Sequence, residues 1–104
     1  MLVLRRTVAF AEWLATLRDA RAKAAVARRL GRLRDGNPGD VKSLGEGVSE
    51  MRIDFGPGYR IYFTRRGPIL ILLLCGGDKS TQAKDIVKAK ELSLNWSEDM
   101  EDES

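Results

Sequence analysis

Two stretches of this 104-residue chain hold residue types suited to phosphate chemistry. In "VSEMRIDFGPGYRIYFT" apolar and polar residues alternate on both sides of "GPG", the pattern of a β-hairpin. With "GPG" as the turn, Phe55 pairs near Tyr59, Ile53 near Ile61 and Met51 near Phe63, and these apolar residues face the core. Glu50, Arg52 and Asp54 then share the other face with Thr64, Tyr62 and Arg60. Arginine forks match phosphate oxygens with paired hydrogen bonds, and a fixed guanidinium stabilises charge that builds up in a transition state. Tyr62 could stack on a base or donate a proton. The same pattern also describes a solvent-facing sheet with cross-strand ion pairs, Asp54–Arg60 among them.

The second stretch is "ILILLLCGGDKSTQ", an apolar run followed by two glycines, a lysine, two hydroxyls and an amide. It has the outline of a phosphate-binding loop but not its spacing. A Walker A loop needs glycine directly before the lysine and another glycine five residues earlier. Here Asp78 precedes Lys79, and Leu72 lies five before Gly77. Asp78 and Thr81 instead suit a helix cap. A short corner could bring Lys79 to the rim of the arginine patch. Cys75 reads as a small buried hydrophobe closing an apolar strand.

These groups need a scaffold, and the remaining sequence supplies one. "LVLRR" is a short strand, and Thr7 can cap a helix carrying Phe10, Trp13, Leu14 and Leu17 on one stripe. A second helix, "DARAKAAVARRLGRLRDG", aligns Ala22, Val26, Leu30 and Leu33 and stops at Gly36. Its arginines, including Arg28 and Arg32, are either a solvated face or a surface for RNA or an acidic partner. "GNPGD" is a loop. The hairpin strands follow, then "PILILLLC" as a central strand buried on both faces, then a final helix with Ile86, Val87, Ala89 and Leu92 on its apolar side. The order β-α-α-β-β-β-α predicts an α+β fold: an N-terminal strand and a helical hairpin, helices on one face of an antiparallel sheet, and a C-terminal helix.

Composition narrows the options. Hydrophobic residues make up 43% and charged residues 32%, as in an ordinary globular domain. The chain contains no histidine, which removes the commonest general base and zinc ligand, so neither metal nor cofactor is expected. One cysteine excludes an internal disulfide and fits a reducing cytoplasm. The run "ILILLLC" is far shorter than the roughly 20 residues that span a bilayer. The last eight residues, "SEDMEDES", hold five of the 15 acids and none of the 18 bases, which leaves residues 1–96 with a net charge of +8. A basic domain at 1–96 with a disordered acidic tail at 97–104 suggests a polyanionic partner.

The stretches "GVSEMRIDFGPGYRIYF" and "ILLLCGGDKSTQAKDI", with "FAEWLATLRD" and "GNPGDVKSLGEGV" upstream, resemble the addiction-module killer (HigB-like) branch of the RelE/ParE toxins over roughly residues 3–95. The resemblance implies the toxin of a bacterial type II toxin–antitoxin pair, silenced by a small helix-turn-helix antitoxin. RelE-like members enter the ribosome and cut mRNA without a metal, the ribose 2′-OH attacking the adjacent phosphorus. It also implies that Arg60 holds the scissile phosphate, with Arg52 as a second basic group and Tyr62 and Lys79 as further catalytic positions. Many RelE-like nucleases use a histidine that this chain lacks, which leaves the acid and base open. Lys79 could act there, and the corner "GGDKSTQ" would aim Lys79 and Gln82 at an RNA backbone, with Arg28 and Arg32 adding contacts. ParE relatives share the fold but poison DNA gyrase, which is the alternative function.

Overall fold

The computed structural model describes residues 1–96, and the tail proposed for 97–104 lies outside them. The elements are β1 (Val3–Arg6), α1 (Val8–Thr16), α2 (Ala20–Arg34), β2 (Val41–Ser43), β3 (Val48–Ile53), β4 (Tyr59–Arg66), β5 (Leu70–Asp78), a 3₁₀ turn (Lys79–Thr81) and α3 (Gln82–Asn95). The five strands form one sheet in the order β1-β5-β4-β3-β2.

The helix boundaries follow the expected local chemistry. Thr7 caps α1, its hydroxyl oxygen accepting from the Phe10 amide at 3.0 Å. Asp19 does the same for α2 through the Arg21 amide. At the far end of α2, Gly36 takes φ +88°, and the amides of Gly36 and Asn37 donate to the carbonyls of Leu33 and Arg32. That paired closure requires a left-handed residue, the conformation glycine adopts without penalty.

The α+β layout is as expected, with four differences in detail. The sheet is mixed, because β1 runs parallel to β5 while every other pair is antiparallel. A short strand, β2, follows the "GNPGD" loop and pairs with β3. The helices cover both faces. Residues of α1 and α2, among them Phe10, Val26 and Leu33, pack on Met51, Ile61, Phe63, Ile71 and Leu73. Ala89 of α3, with Ile86 and Leu92, packs on Val48, Tyr62, Leu72, Leu74 and Cys75 on the other side. A sheet buried on both faces needs cover on both, so the apolar run of β5 draws a helix to each.

The fourth difference is the hairpin register. Ile53 pairs with Tyr59, Met51 with Ile61 and Arg52 with Arg60, two residues away from the pairing expected for a three-residue turn. The connection is the longer 54–58 segment, closed by the Gly58 amide on the Phe55 carbonyl at 3.1 Å. A shift of two leaves every side chain on its expected face. It moves Asp54 off the sheet, however, and puts two arginines directly opposite each other.

Strand β5 carries a bulge: Tyr62 pairs with Cys75 but Phe63 pairs with Leu73, so Leu74 is the extra residue. Beyond it, the two glycines remain in the strand and do not form a flexible turn. A Cβ on Gly76 would overlap the Trp13 indole, and one on Gly77 would overlap the Asp85 carboxylate. Gly76→Ala should therefore cost about 1–3 kcal/mol through overpacking against α1. Thermal unfolding should show a midpoint lowered by at least several degrees, and an unchanged midpoint would mean that Trp13 yields freely.

Candidate functional site

One face of the sheet carries Glu50 and Arg52 from β3 and Arg60, Tyr62 and Thr64 from β4. The first turns of α3 close over part of this face. Glu50 and Tyr62 are both 0% exposed, and Thr64 is buried as well. Where the cover ends, Arg52 and Arg60 stand as cross-strand partners.

The two arginines have different surroundings. Arg60 is 12% exposed; its Nε lies 3.8 Å from Glu50 Oε2 and its Nη1 donates to the Gly58 carbonyl at 2.8 Å. Arg52 is 44% exposed, and its Nη2 donates to Asp40 Oδ1 at 2.9 Å. Arg29 of α2 fixes the backbone beside it, donating to the carbonyls of Arg52 (2.7 Å) and Pro38 (2.9 Å). Lys79 begins the 3₁₀ turn at the same rim and is exposed. A Cβ placed on Gly58 would lie 3.3 Å from Arg60 Nη1 and 3.8 Å from Lys79 Cβ, so Gly58 lies between the Arg60 head group and the base of the Lys79 side chain. The corner is set by a capping box in which Asp78 accepts from Ser80 and Thr81 answers the Asp78 amide. Hydrogen bonds from Ser80 hold the Asp78 carboxyl below its usual range, and the Arg60 charge adds to this.

The structure thus sets Arg52 opposite Arg60, with Lys79 at the same rim. Tyr62 does not join them: α3 covers it, and its ring packs in the second core with Leu72 and Leu74, where it cannot stack on a base. The Gln82 amide turns inward and donates to Glu50 Oε2 at 2.8 Å instead of facing an RNA backbone. Arg28 and Arg32 are exposed, but α2 covers the opposite face of the sheet, away from the arginine pair. The structure adds one group that sequence reasoning passed over, Asp40, and buries one that it had placed on an open face, Glu50. Asp40 neutralises Arg52, and Glu50 is a fully buried charge. Spacing places Glu50 on the arginine face but carries no sign that a helix would cover it. Among the described residues no cluster of three or more His, Cys, Asp or Glu could hold a metal ion. No helix among them is long and apolar enough to cross a membrane.

No protein-family model and no solved structure matches the chain. It is 50% identical over 90 residues to an uncharacterized protein of Haemophilus influenzae, an alignment spanning 86% of this chain and 91% of that protein. The chain belongs to the family of that protein. The aligned length is close to that of the described domain, 90 residues against 96.

Two buried acids respond to the cover that α3 provides. Burial, then the charge of Asp85, push the Cys75 thiol up to about 12 from 9.0, with Lys88 opposing. Burial, then the Glu50 charge, push the Tyr62 phenol well above its usual 10.0. Both raised values mean that the unfolded chain releases these protons first as the pH climbs, so stability falls. Between pH 8 and 10 Cys75 alone should remove about 1.4 kcal/mol. Urea unfolding should show a lower midpoint at pH 10, with a smaller drop in Cys75→Ala; equal drops in the two proteins would contradict the assignment.

Proposed function

We propose that this protein is the toxin of a bacterial type II toxin–antitoxin pair and acts as an endoribonuclease on mRNA at the ribosome. The observation that carries the reading is the cross-strand pair of Arg52 and Arg60 with Lys79 at its rim. Three basic residues lie at one end of the sheet, on the segments that resemble the RelE/ParE toxins. Like charges placed directly opposite each other weaken a sheet. An anion between them reverses that cost, and a phosphodiester has the charge and the oxygen geometry to do so.

On this reading Arg60 and Arg52 bind the non-bridging oxygens of the scissile phosphate. The bond from the 2′-oxygen to phosphorus forms as the bond from phosphorus to the 5′-oxygen breaks. The charge that builds on the phosphorane faces the Arg60 guanidinium, held in place beforehand by the Gly58 carbonyl. The 2′-proton passes to water, and the Lys79 ammonium supplies a proton to the departing 5′-oxygen, leaving a 2′,3′-cyclic phosphate and a 5′-hydroxyl. Tyr62, buried beneath α3, takes no part. The partners are then mRNA, the ribosome and a helix-turn-helix antitoxin, and the working compartment is the cytoplasm.

Arg60→Ala should lose stability, because it strands the buried Glu50 carboxylate, and the purified folded protein should cut translated mRNA about a hundredfold more slowly or worse. A folded Arg60→Ala protein with full toxicity would remove the site. Inhibition of gyrase supercoiling by the wild-type protein, with message left intact, would replace the nuclease by the ParE-like activity.

A further inference from the structure

We propose that Glu50 is a positioning residue: its buried carboxylate fixes the Arg60 guanidinium for the phosphate, and Gln82 holds the carboxylate in turn. The inference rests on the nuclease reading only in assigning the phosphate to Arg60.

A carboxylate taken out of water costs several kcal/mol unless a charge and hydrogen bonds replace its hydration. Glu50 is 0% exposed and sits opposite Tyr62 in the sheet. Among the described residues Arg60 is the cation that reaches it, at 3.8 Å, an ion-pair contact longer than a hydrogen bond. Oε2 also receives the Gln82 amide at 2.8 Å. Glu50 Oε1, the Tyr62 hydroxyl and Arg60 Nε are buried without a hydrogen-bond partner among the described residues.

A cluster this short of partners contributes little as a structural device. Well-packed apolar side chains in the same space would be as stabilising, or more so. Its effect on Arg60 is more specific. Nη1 is hydrogen-bonded to the Gly58 carbonyl and Nε is drawn toward the Glu50 carboxylate by charge, so the guanidinium is held from two sides, and Nη2 has no partner among the described residues. The free edge of the fork is thereby committed to one direction. Without Glu50 the charge would remain but its direction would not, and an undirected arginine still attracts RNA while stabilising the phosphorane poorly.

This separates binding from chemistry, as a purely structural role would not. The test uses purified Glu50→Gln, which keeps size and hydrogen bonding and removes the charge. Single-turnover cleavage is followed on translating ribosomes carrying a defined mRNA. The maximal rate should fall by about tenfold or more, the range seen when groups behind a ligating side chain are lost. The toxin concentration giving half the maximal rate should stay the same or decrease, because the site gains a net positive charge. In parallel, ¹⁵N NMR should show a slowly exchanging Arg60 Nε–H signal in the wild type that is lost in Glu50→Gln. Gln82→Ala, at the half-buried start of α3, tests the same chain of contacts without altering the buried charge, and should lower the maximal rate by about threefold or more. A folded Glu50→Gln protein with the wild-type maximal rate overturns the proposal, as does an Arg60 signal unaffected by the substitution. If the wild type cuts no RNA but the Arg60 signal depends on Glu50, the positioning stands and the nuclease reading falls alone.

Discussion

Strand β5 carries apolar side chains on both faces, and the rest of the fold follows from having to cover both. Ile71 and Leu73 enter the core under α1 and α2, while Leu72, Leu74 and Cys75 enter the one under α3. Leu74 and Cys75 are neighbours in sequence yet share a face, which a regular strand cannot arrange. The bulge at Leu74 makes it possible. Thr7 accepts from the α1 amide at Phe10 and donates to the Leu74 carbonyl at 2.6 Å, so one hydroxyl joins the first helix to the bulge. The bulge therefore does not leave that carbonyl unpaired in a dry interior, where an unmet polar group costs about 1–3 kcal/mol.

The glycines after the bulge extend the same logic toward the site. Gly76 lets the Trp13 indole settle on one face, and Gly77 lets Asp85 approach on the other. The second approach lays the start of α3 close against the sheet. Asp85 accepts from Thr81, whose hydroxyl also completes the Asp78 capping box, so the corner and the helix are fixed together. Glu50 and Tyr62 are buried because α3 lies this close, and Lys79 stays at the rim because the corner turns just before it.

Much of this could be read from the sequence, in proportion to how local each feature is. The caps at Thr7 and Asp78, the closure at Gly36 and the sidedness of the hairpin depend on residues within a few positions of one another. The register of β3 and β4 was not legible because a pattern of period two is unchanged by a shift of two, and only the loop length decides between the alternatives. β2 has three residues, too few to establish a period. The burial of Tyr62 and Glu50 was hidden for a deeper reason. Alternation tells which side a residue faces, not what covers that side, and the placement of α3 is decided by glycines and a bulge on another strand. A polar face therefore passed for a solvent-exposed one.

That hidden cover also makes the two arginines unequal, and the inequality bears on what they can do. Cross-strand like charges work against the sheet, and each is offset by a different acid. The Arg52–Asp40 pair is about half exposed on both sides, so it contributes little, weakens with salt, and leaves Arg52 free to change partner. Arg60 faces a carboxylate that has no water to turn to, and it cannot leave without stranding that charge. One guanidinium is thus adjustable and the other fixed. On the proposed reading this divides the work on a phosphate: Arg52 captures an anion whose position varies, and Arg60 meets charge that appears at one place as the bond to phosphorus forms. A site with two adjustable arginines would bind RNA as well but would have to reorganise during the reaction, and avoiding that reorganisation is the main gain from a preorganised charge.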